Sequence, residues 1–222
     1  MIRPFLIGEN VYLRGLERHG IDSNYFQWFN DSEVTQNMMH GAFPMDLEAF
    51  QEYYEQMTRS KNDVVIEIVT IEGDVHIGNC ALHKINPIHR FTEIGLIIGE
   101  KEYWGKGHAK EAFILIHRHG FDHLNINKVF GTAHELNVAS IRALQRIGYE
   151  VEGRLRGEIY EYGRYLDRIY IGITRDDFYR IHGGGPDGSP SKGVRGQRED
   201  HEYTNYELRP EVKNLVASQQ ID

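Results

Sequence analysis

Apolar and polar residues alternate around Val11-Tyr12-Leu13, which predicts a first strand. They then recur at helical spacing over 24–30 and 47–58, which predicts two amphipathic helices. Two β-branched runs follow, 64–71 and 76–82. Glu72-Gly73-Asp74-Val75 between them supplies the glycine of a tight hairpin turn. The run 92–99, with Ile94, Leu96, Ile97 and Ile98, reads as a strand buried on both faces. A helix over 108–119 comes next, with Ala112, Phe113, Leu115 and Ile116 on its apolar face. A strand at 129–134 and a helix at 138–147 continue the alternation, with Gly148 placed as a left-handed helix terminator. Strands at 150–156 and 166–174 close the pattern. The expected fold class is α/β in the mixed α+β sense, with one central sheet and flanking helices, and the folded domain spans 1–181.

From 182 the composition changes. Gly183-Gly184-Gly185-Pro186-Asp187-Gly188-Ser189-Pro190 has too little apolar area to offset the entropy of ordering, so 182–201 reads as a flexible linker. The stretch 202–222 regains Tyr203, Tyr206, Leu208, Val212, Leu215 and Val216, a tail that either docks on its own or a neighbouring subunit or stays unpacked.

The 222 residues suffice for a substantial core. No apolar run approaches the roughly 18 residues of a membrane-spanning helix. The first ten residues lack a secretory h-region, so the expected location is the cytoplasm. A formal charge of −8 argues against a nucleic-acid-coating surface and weakly favours a cationic substrate. Cys80, the single cysteine, reads as a buried structural thiol rather than a nucleophile. Twelve histidines raise the question of a metal site, chiefly at His117, His119 and His123. On a helix, His117 and His119 point about 200° apart, and only His119 and His123 could share a face if the helix runs through Gly120, so no metal is expected.

The segment that carries chemistry is Trp104-Gly105-Lys106-Gly107-His108-Ala109. A strand delivers it, two glycines let backbone approach a ligand, and a helix starts directly after, so free N–H groups face an arriving anion. By itself this says only phosphate, or a plain structural turn. Neither the P-loop pattern nor the dinucleotide fingerprint fits, because Lys110 stands where the fingerprint needs its third glycine.

Here the chain resembles the GNAT acetyltransferase superfamily, whose cofactor loop reads Gln/Arg-x-x-Gly-x-Gly/Ala before its third helix. Trp104 departs from the first position. The string Tyr103-Trp104-Gly105-Lys106-Gly107 is similar to the branch that acetylates ribosomal-protein N-termini, polyamines and amino sugars. Trp28-Phe29-Asn30-Asp31, Asn137-Val138-Ala139-Ser140, Ile147-Gly148-Tyr149 and Gly163-Arg164-Tyr165-Leu166-Asp167 fall in the same order as in that family.

The resemblance implies a twisted, mostly antiparallel sheet splayed between its fourth and fifth core strands, here 92–99 and 129–134. It implies acetyl-CoA as co-substrate. Backbone groups of Leu96, Ile97 and Ile98 would pair with pantetheine, and those of Gly105, Lys106, Gly107, His108 and Ala109 would meet the pyrophosphate, with Trp104 and Asn137 beside them. The attacking amine must be neutral, yet an alkylammonium with a pKa of about 10.4 is only about one part in 10³ free at neutral pH. Glu93 is the first choice of base and Glu135 the second, with His134 beside it; both carboxylates can also be read as rim residues. Many relatives protonate the leaving thiolate with a tyrosine where this chain has Leu144, so that role passes to Ser140. Asn137 and Ser140 also make a good helix start. Tyr53, Tyr54, Trp28, Phe29, Met38 and Met39 read either as substrate-pocket walls or as core.

The expected activity is N-acetylation of a small-molecule primary amine, an amino sugar or a polyamine, in a ternary complex. The alternatives are a protein N-terminal acetyltransferase and a non-catalytic acyl-CoA-binding module. No nucleic acid or membrane partner is expected, and a homodimer stays open.

Overall fold

The structure, a computed structural model, describes residues 4–16, 24–38 and 43–184. Met39, most of the linker and the whole tail lie outside the described residues. Two compact units divide the chain, 1–129 and 130–222.

In the first unit five strands run in the order β1 (Leu6–Ile7), β2 (Val11–Gly15), β3 (Val64–Thr70), β4 (His76–Asn86) and β5 (Phe91–Ile98). All adjacent pairs are antiparallel. The expected hairpin joins β3 to β4, and its turn places both Gly73 and Asp74 at positive φ. β1 was not legible in the sequence because two residues carry no periodicity. The β4–β5 pair runs longer than its apolar residues suggest, through His83↔Glu93 to Asn86↔Phe91. Backbone pairing does not require apolar side chains.

Helices α1 (Asn24–Asn30), α2 (Ser32–Thr35), α3 (Leu47–Arg59) and α4 (His108–Asp122) complete this unit. Asp31 caps α2 by accepting from the N–H groups of Glu33 and Val34, and Asp46 caps α3 by accepting from Ala49. Tyr25, Trp28, Phe29, Phe50 and Tyr54 form a buried aromatic cluster, with Tyr53 and Ile97 packed against it. These rings are core rather than pocket walls. On α4 the buried stripe is Ala112, Phe113, Ile116, His117, Gly120 and Phe121. Leu115, expected on that face, is only half-buried, and His117 takes the inward place, its Nδ1 2.6 Å from the Phe113 carbonyl.

The second unit orders its strands β6 (Lys128–His134, which enters from the first unit), β8 (Arg164–Thr174) and β7 (Glu150–Glu161). β7 and β8 form one long antiparallel hairpin closed at Tyr162 and Gly163, both at positive φ. β7 runs past its expected end at 156 because its pairing with β8 continues through Ile159↔Leu166 to Glu161↔Arg164. Helix α5 (Val138–Ile147) matches the expected bounds, and Gly148 terminates it with φ 113°. Helix α6 (Arg175–His182), capped by Thr174, packs Phe178 inward.

No helix among the described residues is long and apolar enough to cross a membrane.

Candidate active site

Gly107 begins α4 at φ 89° and ψ −9°, a conformation that a side chain makes costly, and offers no side-chain cap. The contrast with α2, α3, α5 and α6 is chemical. In those helices an Asp, Asn or Thr oxygen accepts from a free N–H of the first turn. At α4 the Glu111 N–H already bonds the Gly107 carbonyl, and the N–H groups of His108, Ala109 and Lys110 are left for another acceptor. Trp104, Gly105, Lys106 and Gly107 are exposed around them. This arrangement fits a pyrophosphate, which supplies the acceptors and the negative charge that a helix N-terminus favours. The buried His108 Nδ1, which has no hydrogen-bond partner among the described residues, adds one more unsatisfied polar atom at the same turn.

Side chains on the loop hold its shape. The Trp104 indole donates to the Ile98 carbonyl, 2.8 Å away, and Lys106 lies over the Tyr103 ring with its Nζ 5.3 Å from the centroid. Lys106 is thus both solvated and stacked. Upstream, the Glu100 carboxylate accepts from Asn24 Nδ2 at 2.8 Å and Trp28 Nε1 at 3.1 Å. Lys101 binds Asp31 at 2.9 Å and also Glu33. Gly99, between strand and loop, is in contact with Trp28: a Cβ there would sit 1.8 Å from the indole ring.

Leu96, Ile97 and Ile98 lie on the last turn of the pleat of β5 before the loop. The expectation that this strand is buried on both faces is corrected: every residue from Glu93 to Ile98 is half-buried, and only Thr92 is fully covered. Polar Glu93 and side-chain-free Gly95 interrupt one of its faces, which a count of isoleucines does not register. Glu93 sits third in the strand with its carboxylate 2.8 Å from Lys84 Nζ. Because Lys84 is well exposed, that pair holds the carboxylate only weakly.

The same face of the first unit holds a pair that the sequence did not reveal. His83 is the register partner of Glu93, so the two side chains share a face. His83 Nδ1 lies 3.0 Å from Asp63 Oδ1. Burial alone would raise the Asp63 carboxyl, but hydrogen bonds from Ser60 Oγ, the His83 ring and the Lys84 N–H outweigh it and hold it below the usual carboxylate range. Twenty residues separate His83 from Asp63 in sequence, so only strand register could have found the pair.

In the second unit the structure corrects the place given to Glu135. It is fully buried, not a rim residue: Arg154 Nη2 lies 2.7 Å from Oε2, and Oε1 accepts the Asp167 N–H at 3.1 Å. Arg154 also binds Asp167, whose other oxygen takes the Gly157 N–H. This network ties the end of β6 to β7 and β8 and occupies both Glu135 oxygens. His134 is likewise buried, and that burial, offset in part by the charge of Glu135, lowers its pKa below the ordinary imidazole value. Asn137 caps α5 through the Ser140 N–H at 3.1 Å, the helix-start reading of that motif. Ser140 itself is half-buried on the first turn.

Cys80 is 1% exposed, and burial pushes its thiol pKa far up, which keeps it protonated and inert. Among the described residues no group of three or more His, Cys, Asp or Glu side chains could hold a metal ion. His119 and His123 do share a face, their rings stacked 5.3 Å apart.

Residues 10–150 match the acetyltransferase (GNAT) domain family. The N-acetyltransferase YokL of the SPbeta prophage in Bacillus subtilis is 30% identical over 184 residues, covering 82% of this chain and all of YokL. Spermidine N(1)-acetyltransferase of Escherichia coli K12 is 29% identical over 174 residues, 78% of this chain and 90% of that enzyme. Among solved structures, spermidine N-acetyltransferase from Vibrio cholerae in complex with CoA and spermine superposes with a TM-score of 0.71 at 23% identity, covering 77% of this chain and 99% of that one. The matched stretch runs unbroken through β5, the uncapped loop and α4, and on that ground the chain belongs to the GNAT family and is an N-acetyltransferase.

Proposed function

We propose that this enzyme moves the acetyl group of acetyl-CoA to a primary amine of a polyamine. The observation that carries the substrate class is the likeness, over about three quarters of the chain, to enzymes named spermidine N(1)-acetyltransferase. The formal charge of −8 agrees with a cationic acceptor.

In this reading the N–H groups of His108, Ala109 and Lys110 bind the pyrophosphate, and Lys106 adds a screened positive charge. Backbone groups of Leu96, Ile97 and Ile98 align the pantetheine arm, and an N–H of that strand stabilises the oxygen that becomes negative as the carbonyl is attacked. When bound, acetyl-CoA supplies an activated thioester. Glu93 meets the ammonium end of the acceptor and draws it to β5. The amine nitrogen, once deprotonated, forms the new C–N bond as the C–S bond breaks and then loses its second proton to solvent, while the Ser140 hydroxyl gives the departing sulfur a proton and recovers one from solvent. Cys80 is inert, so no acetyl-enzyme is part of the scheme. Glu135 keeps a structural place.

The test is thiol release from acetyl-CoA with a panel of spermidine, spermine, glucosamine and a peptide with a free N-terminus. Spermidine or spermine should give the highest kcat/KM. A higher value for the amino sugar or the peptide would overturn the polyamine reading in favour of that acceptor.

A further inference from the structure

We infer that His83 is the general base of the reaction, taking the proton of the acceptor amine on Nε2, with Asp63 as its positioning residue. The inference deepens the acetyltransferase reading above and rests on it.

Three features meet at His83. The first is orientation. Asp63 is held ionised by Ser60, by the His83 ring and by the Lys84 N–H, so toward the imidazole it can only accept. Nδ1 is therefore a donor to Asp63, and in the neutral ring Nε2 presents the lone pair.

The second is placement. The ring lies against β5 at Gly95: a Cβ on that residue would be 3.2 Å from both Nε2 and Cδ2. Glycine therefore lets the imidazole edge rest on the strand one residue before Leu96, Ile97 and Ile98, the stretch assigned to the pantetheine arm. Nε2 has no hydrogen-bond partner among the described residues, and the side chain is 31% exposed. A ring this open can be reached by an incoming amine, directly or through one water.

The third is the state of the alternative acceptor. Glu93, across the register from His83, has Lys84 Nζ 2.8 Å from its carboxylate. With one exposed ammonium already beside it, the Glu93 carboxylate is placed to attract a cation. The two neighbours thus divide the work: Glu93 draws the ammonium, and His83 Nε2 takes its first proton before nitrogen attacks the thioester carbon. The lone pair so freed becomes the C–N bond, the C–S electrons stay on sulfur, and the second N–H proton, made acidic by the new bond, leaves to solvent. His83 then returns its proton to solvent. Among the described residues, the charged groups nearest the ring are Asp63 from the α3–β3 connection, Glu93 across the register on β5 and Lys84 next to it on β4; Tyr53 of α3 lies by Asp63, and burial and the Asp63 charge raise its hydroxyl pKa.

The test uses the full chain and whichever amine of the panel reacts fastest, so a wrong acceptor would overturn the polyamine reading and leave this one standing. His83→Gln should lower kcat by about 10²-fold or more, keep the Kd for CoA and the Tm near wild type, and abolish the acid limb of the kcat/KM profile. His83→Ala should regain rate in proportion to added imidazole, a response that a structural role does not produce. Asp63→Asn, a near-isosteric change, should lower kcat at least tenfold with CoA binding intact, and it carries the test if the His83 variants fold poorly. The proposal falls if His83→Gln keeps its acid limb while Glu93→Gln loses it, or if both His83→Gln and Asp63→Asn turn over at the wild-type rate.

Discussion

The Trp104 indole donates its Nε1–H to the carbonyl of Ile98, 2.8 Å away, and so ties the entrance of the glycine loop to the last residue of β5. One bond links the segment assigned to pyrophosphate with the strand assigned to pantetheine. The tryptophan that departs from the family's usual first residue therefore has a mechanical use here. Trp104→Phe keeps the ring and deletes the donor. One net hydrogen bond is worth about 0.5–1.5 kcal/mol, so the Kd for CoA should rise about two- to tenfold by calorimetry. A Kd equal to wild type would mean that the loop keeps its shape without the bond.

Gly99 separates that strand from the loop and lies flat against Trp28. Because a Cβ there would overlap the indole at 1.8 Å, Gly99→Ala must displace either the ring or the strand end. The displaced ring belongs to the buried aromatic cluster and carries a hydrogen bond to Glu100. Overpacking of this kind costs about 1–3 kcal/mol, which should lower Tm by several degrees in a thermal scan. Gly105→Ala is the contrast, since a Cβ there meets nothing within 4 Å and only the positive φ of 72° opposes it. Its effect should show in CoA affinity more than in Tm.

Glu135 separates the two readings of the second unit's carboxylates. If it is a structural anchor for Arg154 and Asp167, Glu135→Gln should destabilise the fold by about 1.5–3 kcal/mol, the worth of a hydrogen bond to a charged group. The kcat of the protein that remains folded should be little changed. Urea unfolding followed by circular dichroism reads the first quantity, and thiol release per folded molecule reads the second. A hundredfold loss of kcat with unchanged stability would restore Glu135 as a base.

Acid should destabilise the enzyme through two histidines. Burial lowers the pKa of His134, opposed by Glu135, and burial followed by the His123 charge lowers that of His119. In the unfolded chain both return to about 6.5. From there down to their lowered folded values the unfolded state binds more protons, so stability falls as pH drops through about 6.5 and below. Glu161 has the opposite sign, since burial raises its pKa, but its contribution develops only toward the carboxylate range. Between pH 7.5 and 6.0 the Tm of the wild type should fall, and the double variant His119→Gln/His134→Gln should lose much of that slope. An unchanged slope would assign the acid sensitivity to other groups.

The sequence by itself determined most of the elements and the phosphate-directed loop, because both are local. Helix α5, its Asn137 cap and its Gly148 terminator follow from residues within one turn of each other, and the strand-glycine-helix order around Gly105 and Gly107 needs no distant partner. Tertiary structure decided which carboxylate faces what. Glu93 and Glu135 are alike as isolated strand residues. One has an exposed lysine beside it and a histidine across the register, while the other is enclosed by an arginine and an aspartate from strands that come later in the chain. The Asp63–His83 pair is of the same kind: strand pairing fixes side-chain neighbours that sequence distance hides. Pairing is a long-range choice, set by the total burial and hydrogen bonding of the sheet, and no short window of sequence contains it.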